Sequence, residues 1–200
     1  MPNAQYLLFT SIYKLESHII DTLKSNLGIP IYSIGPTIHY YRLKESFSVT
    51  TTGHNNDINY VQWLDSQPKA LVLYMSQVKF LGGDKGLVVP WCDQLKVLCH
   101  SSVGGFWSHC GWNSTKDGVF AGLPFLTYLI FSDQIPNSKT IVEDWKIGWK
   151  VRRGMGADEH LVTREEIAKL IQRFMDLESV EGKEMRRAKE LQQICKNATS

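Results

Sequence analysis

The amino-acid sequence predicts an α/β fold in which parallel strands are joined by right-handed crossovers. Residues 70–76 (ALVLYMS) form a short, nearly continuous apolar run, which is typical of a strand buried on both faces of a parallel sheet. Along the chain such runs alternate with amphipathic stretches that end at glycine, as residues 114–121 do before Gly122. This alternation of strands and helices indicates a layered α/β architecture.

The first 36 residues predict one strand–helix–strand unit. Residues 6–10 (YLLFT) form the first apolar run, and residues 29–34 form the second. Between them, residues 15–27 are amphipathic and stop at a glycine, as a helix would. Residues 37–58 are polar and rich in Ser, Thr and Asn, so they predict a linker at a domain boundary.

A second structural unit is predicted from residue 59 to the end of the chain. Its expected strands cover residues 70–76, 87–90, 105–108 and 125–128. Its expected helices cover residues 59–64, 97–100, 114–121, 134–144, 163–175 and 181–196. The helix at 163–175 has the clearest start, because Thr163 is followed three residues later by Glu166 in the pattern of a capping box.

The segment after Ser76 is too short for this topology. Neighbouring parallel strands need a crossover of about a dozen or more residues, yet glycine-rich residues 82–86 lead almost at once to the strand expected at 87–90. Either residues 70–81 form one long strand, or a βα unit is missing near residues 77–78.

Composition narrows the functional class. The chain has 200 residues and a formal net charge of +2, which gives no argument for a nucleic-acid or anionic-membrane partner. Its first residues lack the pattern of a secretory signal and no apolar run reaches membrane-spanning length, so we expect neither a signal nor a membrane span. Four cysteines without a CxxC pair indicate reduced thiols, so we expect a cytoplasmic protein.

A zinc site is one alternative that the cysteines raise. Cys99, His100, His109 and Cys110 are four candidate ligands. Their spacing matches none of the usual zinc patterns, in which each ligand pair is separated by two to five residues. We therefore expect no metal.

Residues 91–134 concentrate the side chains that could bind a small polar ligand. Trp91 offers an indole face for stacking a base, and Gln94 offers both a donor and an acceptor. Asn113 and Ser114 open a predicted helix, whose amino terminus attracts anions, and His109 lies just before it. Without further context, Trp91 and His109 could equally be core residues, and Asn113–Ser114–Thr115 a helix cap.

This segment resembles the signature box of plant family 1 UDP-glycosyltransferases, most closely the 87A subfamily. The matching positions in the box are Trp91, Cys92, Gln94, Leu98, His100, Gly104, Phe106, His109 to Thr115, Gly118, Gly122, Pro124, Asp133 and Gln134. Flanking matches are LFTS at 8–11, YSIGP at 32–36, QWLDSQP at 62–68 and residues 182–187. The resemblance implies a GT-B fold: residues 1–36 as a remnant of the acceptor domain, 37–58 as a linker, and 59–200 as a Rossmann-like UDP-sugar-binding domain.

The resemblance also implies the donor-binding residues. They are Trp91, Cys92, Gln94, His109, Trp112, Asn113, Ser114, Asp117, Asp133 and Gln134. Trp112 would present its backbone amide to the sugar, whose hydroxyls would bind Asp133 and Gln134. Asp117 stands where the family has glutamate. Its side chain is one methylene shorter, so it reaches less far toward the ribose. A box ending in Gln implies glucose, hence UDP-glucose as donor substrate, with no cofactor.

The implied reaction is an inverting transfer of a hexose from the UDP-sugar to a small-molecule acceptor. The family's catalytic histidine and its supporting aspartate have no counterpart in this chain, and His18 and His39 lie in the wrong context. We therefore expect a carboxyl-terminal portion that keeps the donor site, lacks the base and needs the missing half to reach an acceptor. The alternative is a non-catalytic UDP-sugar-binding or interaction fragment.

Overall fold

The computed structural model of the protein describes residues 4–35, 60–76, 86–89, 92–151, 162–176 and 186–198. Four expectations lie outside these residues. They are the linker at 37–58, the alternatives drawn for residues 77–81, the position of Trp91 and the first part of the helix expected at 181–196.

A parallel strand–helix–strand unit occupies residues 4–35. β1 (Leu7–Phe9) pairs with β2 (Ile31–Ser33), and α1 (Tyr13–Leu27) connects them. α1 ends at Gly28, whose φ of 60° is a left-handed conformation that glycine adopts without steric cost. Both strands are confirmed, and the helix begins two residues before its expected start.

Four parallel strands form the main sheet in the order β3–β4–β5–β6. They are β3 (Val72–Met75), β4 (Val103–Ser108), β5 (Phe125–Thr127) and β6 (Gly148–Lys150). β4 and β5 are buried along their whole length, whereas every residue of β3 is only half-buried. The predicted parallel α/β sheet is thus confirmed.

The helices of this second part follow the predicted order. They are α2 (Tyr60–Asp65), α3 (Gln94–Leu98), α4 (Trp112–Ala121), α5 (Ile135–Lys139), α6 (Arg164–Met175) and α7 (Arg187–Asn197). α5 is the middle of one helical run, which begins as a 3₁₀ turn at Ser132–Gln134 and ends as a π-helical turn at Thr140–Asp144. Within the described ranges, none of the helices has the length and apolar character that crossing a membrane requires.

Helix ends follow the local signals in the sequence. The Thr163 hydroxyl accepts from the amide of Glu166, and the Glu166 carboxylate accepts from the amide of Thr163, which is the expected capping box. α3 begins three residues earlier than expected because the Asp93 carboxylate accepts from the Lys96 amide at 3.2 Å.

The predicted topology differs from the structure in its details. Residues 86–89 form no strand, and β3 ends at Met75; residues 77–81, on which the long-strand alternative depends, lie outside the described residues. The sheet instead pairs β3 directly with β4, and the intervening chain has room for α3. β6 was not predicted: it is three residues long, and its apolar pattern is interrupted by Gly148, where a Cβ would lie 2.7 Å from Ile141.

The two faces of the main sheet pack against separate apolar clusters. On one face the fully buried rings of Phe106 and Phe125 lie 5.4 Å apart, and α4 packs over them through Gly118. On the other face Trp107 and Leu126 pack against α6. Because a strand alternates its side chains between faces, these four residues hold α4 and α6 on opposite sides of β4 and β5.

Candidate functional site

The candidate site lies where α4 begins, just beyond the carboxyl end of β4. Gly111 precedes the helix in an extended conformation and gives it no side-chain cap. The first amide to bond within the helix is that of Thr115, which donates to the Gly111 carbonyl at 2.9 Å. The amides of Trp112, Asn113 and Ser114 therefore have no acceptor among the described residues, and the helix terminus carries partial positive charge.

A strained turn at Cys110 immediately precedes this helix and sets its direction. Cys110 has a φ of 65°, a left-handed conformation that is costly for a side chain with a Cβ. Its amide donates to the Ser108 hydroxyl at 3.0 Å, and its carbonyl accepts from the Asn137 side chain at 2.9 Å. The sequence did not reveal this contact of Asn137, because no local signal links it to a turn 27 residues away.

His109 lies beside the helix terminus with one ring nitrogen unsatisfied. Its Nδ1 is buried and has no hydrogen-bond partner among the described residues. A Cβ at Gly111 would lie 2.4 Å from the other ring nitrogen, so glycine leaves the space that the ring occupies. Burial lowers the pKa of His109, against the opposing charge of Asp133, so the neutral imidazole is favoured. A buried polar atom without a partner is costly, and it points to a ligand.

Gln94, Ser114 and Asp117 form a hydrogen-bonded group between α3 and α4. The Gln94 side-chain nitrogen donates to Asp117 at 2.9 Å and to the Ser114 hydroxyl at 3.3 Å. Burial raises the pKa of Asp117, and the bond from Gln94 opposes this. Since the nitrogen of Gln94 is committed, its carbonyl oxygen is the atom left to accept a hydrogen bond from a ligand.

Asp133 and Gln134 differ sharply in their surroundings. Gln134 is only 4 % exposed, and its side-chain oxygen accepts from the amides of Ile130 and Phe131 at 2.8 and 3.1 Å. This residue therefore shapes the loop after β5, and only its side-chain nitrogen is left as a donor. Asp133 is exposed, and its charge acts on His109.

The remaining predicted site residues contribute unequally. The Trp112 ring is half-buried and packs against the core, and its backbone amide lies at the helix terminus. The Asn113 side chain is exposed. Cys92 is half-buried, with its sulfur 3.5 Å from the Tyr74 hydroxyl. The structure thus brings most of the predicted residues to the amino-terminal end of α4 or to α3 beside it, while Trp91 lies outside the described residues.

The cysteine–histidine pairs do not assemble into a metal site. No group of three or more metal-ligating side chains occurs among the described residues, which include all four candidates. His100 instead bonds Asp65 at 3.1 Å and the Ser102 hydroxyl at 2.8 Å. This Asp–His–Ser arrangement does not activate a nucleophile for a substrate, because Ser102 is only 1 % exposed. Its hydrogen bonds instead link α2 to the start of β4.

The family model and the most similar relatives indicate the same protein family. Residues 62–181 match the family described as UDP-glucoronosyl and UDP-glucosyl transferase. UDP-glycosyltransferase 87A2 of Arabidopsis thaliana is 42% identical over 237 aligned positions, which cover 100% of this chain and 50% of the relative. UDP-glycosyltransferase 87A1 of the same plant is 40% identical, covering 98% of this chain and 52% of the relative.

Solved structures show the same fold. Phytolacca americana UGT2, complexed with UDP-2fluoro-glucose and pterostilbene, superposes with a TM-score of 0.75 at 26% identity, covering 95% of this chain and 48% of that one. Os79 from O. sativa, in complex with U2F and trichothecene, gives 0.75 at 26% identity, covering 96% and 49%.

Two lengths stand out in these comparisons. The chain spans about half the length of the curated relatives it matches. The alignment with 87A2 runs over 237 positions whereas this chain has 200 residues, so at least 37 positions of that alignment have no counterpart here.

Proposed function

Because this chain belongs to the UDP-glucoronosyl and UDP-glucosyl transferase family, with the GT-B fold of its plant members, we propose that it binds the UDP-sugar donor of a glycosyl transfer. One observation carries the proposal: the uncapped amino terminus of α4 lies beside a buried, unpartnered nitrogen of His109. Helix amides and an imidazole converging on one point are suited to a diphosphate.

The diphosphate is assigned to the amides of Trp112, Asn113 and Ser114, with His109 donating one further hydrogen bond. Burial holds the pKa of His109 below its ordinary value, so the ring contributes a hydrogen bond rather than a full charge at neutral pH. Charge on the leaving diphosphate would be stabilised in the same place, since helix amides are already oriented before the glycosidic bond breaks.

The uridine is assigned to α3 and the residues before it. Gln94 offers its free side-chain oxygen, and the carboxylate of Asp117 lies 2.9 Å from the nitrogen of the same side chain. By family resemblance, Trp91 stacks on the uracil and Cys92 adjoins it. The sugar is assigned to Asp133 and the side-chain nitrogen of Gln134, and glucose is the sugar that the resemblance favours.

The reaction proposed for the whole family member is an inverting displacement. An acceptor hydroxyl attacks the anomeric carbon while UDP departs, and a base removes the hydroxyl proton. The sequence offers no counterpart of that base: His18 is exposed on α1, and His39 lies outside the described residues. We therefore propose that the isolated chain binds a UDP-sugar, transfers none by itself and reaches a small-molecule acceptor only with an acceptor half.

The domain division and the location are proposed on the family resemblance and the sequence. Residues 1–36 are assigned to the acceptor side, 37–58 to a linker and 59–200 to the donor domain. The alignment positions without a counterpart support a βα unit missing near 77–78, beside the half-buried strand β3. Four free cysteines support a cytoplasmic location.

Calorimetric titration with UDP, UMP and uridine tests donor binding. We expect affinity to fall in the order UDP, UMP, uridine, because each phosphate adds contacts at the α4 terminus. Equal affinities for UDP and uridine would show that the terminus is not used. Absence of heat with UDP at millimolar concentration would refute donor binding altogether.

Most substitutions at a binding site weaken ligand affinity, but one substitution of Asp117 is expected to strengthen it. The variant Asp117→Glu should bind UDP several-fold more tightly, by about 0.5–1 kcal/mol, because the longer side chain can reach the ribose directly. The matched variant Asp117→Ala should weaken binding, since it also frees the Gln94 nitrogen. The two dissociation constants, measured by calorimetry, should bracket that of the unaltered chain; weaker binding by Asp117→Glu would remove the ribose assignment.

A further inference from the structure

A small cavity lies between the first turns of α1 and one flank of α4. Glu16 of α1 and Lys116 of α4 both line it, together with Trp112, whose backbone amide lies at the α4 terminus. Trp112 and Lys116 are four residues apart on one helix, so their side chains lie on the same face. Lys116 is half-buried, and it is the only basic residue of α4.

The side chain of Lys116 adds positive charge near the amino terminus of α4. In an α-helix each side chain leans toward the amino terminus and covers the turn before its own Cα. For Lys116 that turn contains Trp112 and Asn113, whose amides are assigned to the diphosphate. The same end of the helix already carries the positive end of the dipole, so the two effects on an anion have the same sign.

Glu16 places an opposite charge on the other side of the cavity. Its backbone leaves the helical conformation, with a φ of −135° and a ψ of 25°, and the preceding carbonyl of Leu15 accepts from the indole nitrogen of Trp145 at 3.3 Å. This bond fastens the start of α1 beside the cavity. Burial raises the pKa of Glu16, and the neighbouring Ser11 hydroxyl and the charge of Lys116 oppose the rise.

Burial has the corresponding effect on the lysine. It lowers the pKa of Lys116, and the negative charges of Asp117 and Glu16 oppose the decrease. Each partner in the pair therefore stabilises the ionised form of the other. Because Lys116 is partly shielded from water, its charge is screened less by salt than a charge on the open surface.

We propose that Lys116 is a further determinant of donor binding, whose positive charge attracts the diphosphate, and that Glu16 weakens this attraction from across the cavity. The inference rests on the donor site proposed above, and it names the residue that distinguishes ligands by their phosphate charge. A pair of charges that only held α1 against α4 would affect UDP and uridine alike, because uridine carries no phosphate. The difference between the two ligands therefore separates an electrostatic role from a structural one.

Calorimetric titration of the full chain with UDP and with uridine tests the proposal. Lys116→Met should weaken UDP binding about three- to tenfold and leave uridine binding unchanged, whereas Lys116→Arg should keep the affinity for UDP. Glu16→Gln should act in the opposite direction and strengthen UDP binding about two- to threefold, because the opposing charge is removed. The control Lys14→Met removes the same charge as Lys116→Met from an exposed position of α1, where solvent and salt screen it, and should change neither affinity.

The salt dependence of UDP affinity gives a second readout. Affinity should fall less steeply with salt concentration in Lys116→Met than in the unaltered chain. A folding defect cannot imitate the full result, because it would weaken both ligands and could not produce the gain expected of Glu16→Gln. Equal losses for UDP and uridine, or an unchanged UDP affinity in Lys116→Met, would overturn the proposal and leave donor binding intact. Absence of UDP binding by the unaltered chain would refute the donor site itself, and this inference with it.

Discussion

Replacing Asn113 by aspartate is expected to weaken UDP binding at least tenfold, or about 1.4 kcal/mol, without loss of stability. Asn113 is exposed at the second position of α4, so the isosteric change removes no core contact. The new carboxylate would face the diphosphate, and repulsion between unit charges near a protein surface reaches about 4 kcal/mol at 4 Å. The same charge favours the helix by about 0.3–1 kcal/mol, because it lies at the positive end of the dipole.

Asn197→Asp is the matched control for charge. It makes the same change at the exposed end of α7, where the side-chain oxygen already accepts from Gln193 at 2.8 Å. Calorimetry should show UDP affinity unchanged in this variant. If both variants lost affinity equally, net charge rather than the α4 terminus would govern binding; if neither did, the diphosphate lies elsewhere.

Phe106→Ala is expected to lower the free energy of unfolding by about 3–5 kcal/mol. The Phe106 ring is fully buried between Tyr74 at 5.6 Å and Phe125 at 5.4 Å, and a Cβ at Gly118 of α4 would meet it at 2.8 Å. Its removal leaves a cavity between β4 and α4. Because a domain has only about 5–15 kcal/mol of net stability, this one change should leave the chain largely unfolded on mild heating.

Phe131→Ala is the matched control for this substitution. Phe131 is 64% exposed, so its loss should alter stability by no more than about 0.5 kcal/mol. Urea unfolding followed by circular dichroism measures both variants. A loss below about 1 kcal/mol for Phe106→Ala would contradict the packing described between the sheet and α4.

Elements with a local stop or start signal were predictable from the sequence. Gly28 and Gly122 end their helices in left-handed conformations, and Thr163 begins one with a complete capping box. The sequence pattern was insufficient to predict a strand whose formation depends on pairing with a neighbouring strand. Residues 86–89 are apolar but form no strand, whereas β6 pairs with β5 despite being only three residues long.

The sequence predicted which side chains the structure brings together at the candidate site, but not the geometry that holds them. The sequence indicated His109 and the α4 terminus as an anion site, and the structure brings them together. It did not reveal that Cys110 turns the chain in a left-handed conformation held by Asn137. Nor did it reveal that the Gln134 oxygen is bound by its own loop, since such bonds depend on tertiary placement rather than local spacing.

The most direct test of donor binding follows individual backbone amides by NMR while UDP is added to the ¹⁵N-labelled chain. If the diphosphate occupies the α4 terminus, the amides of Trp112, Asn113 and Ser114 should shift most. Thr115 is an internal reference, because its amide already donates to the Gly111 carbonyl at 2.9 Å. UDP binding that leaves the first three amides unchanged, or shifts them no more than Thr115, would contradict the proposed donor site.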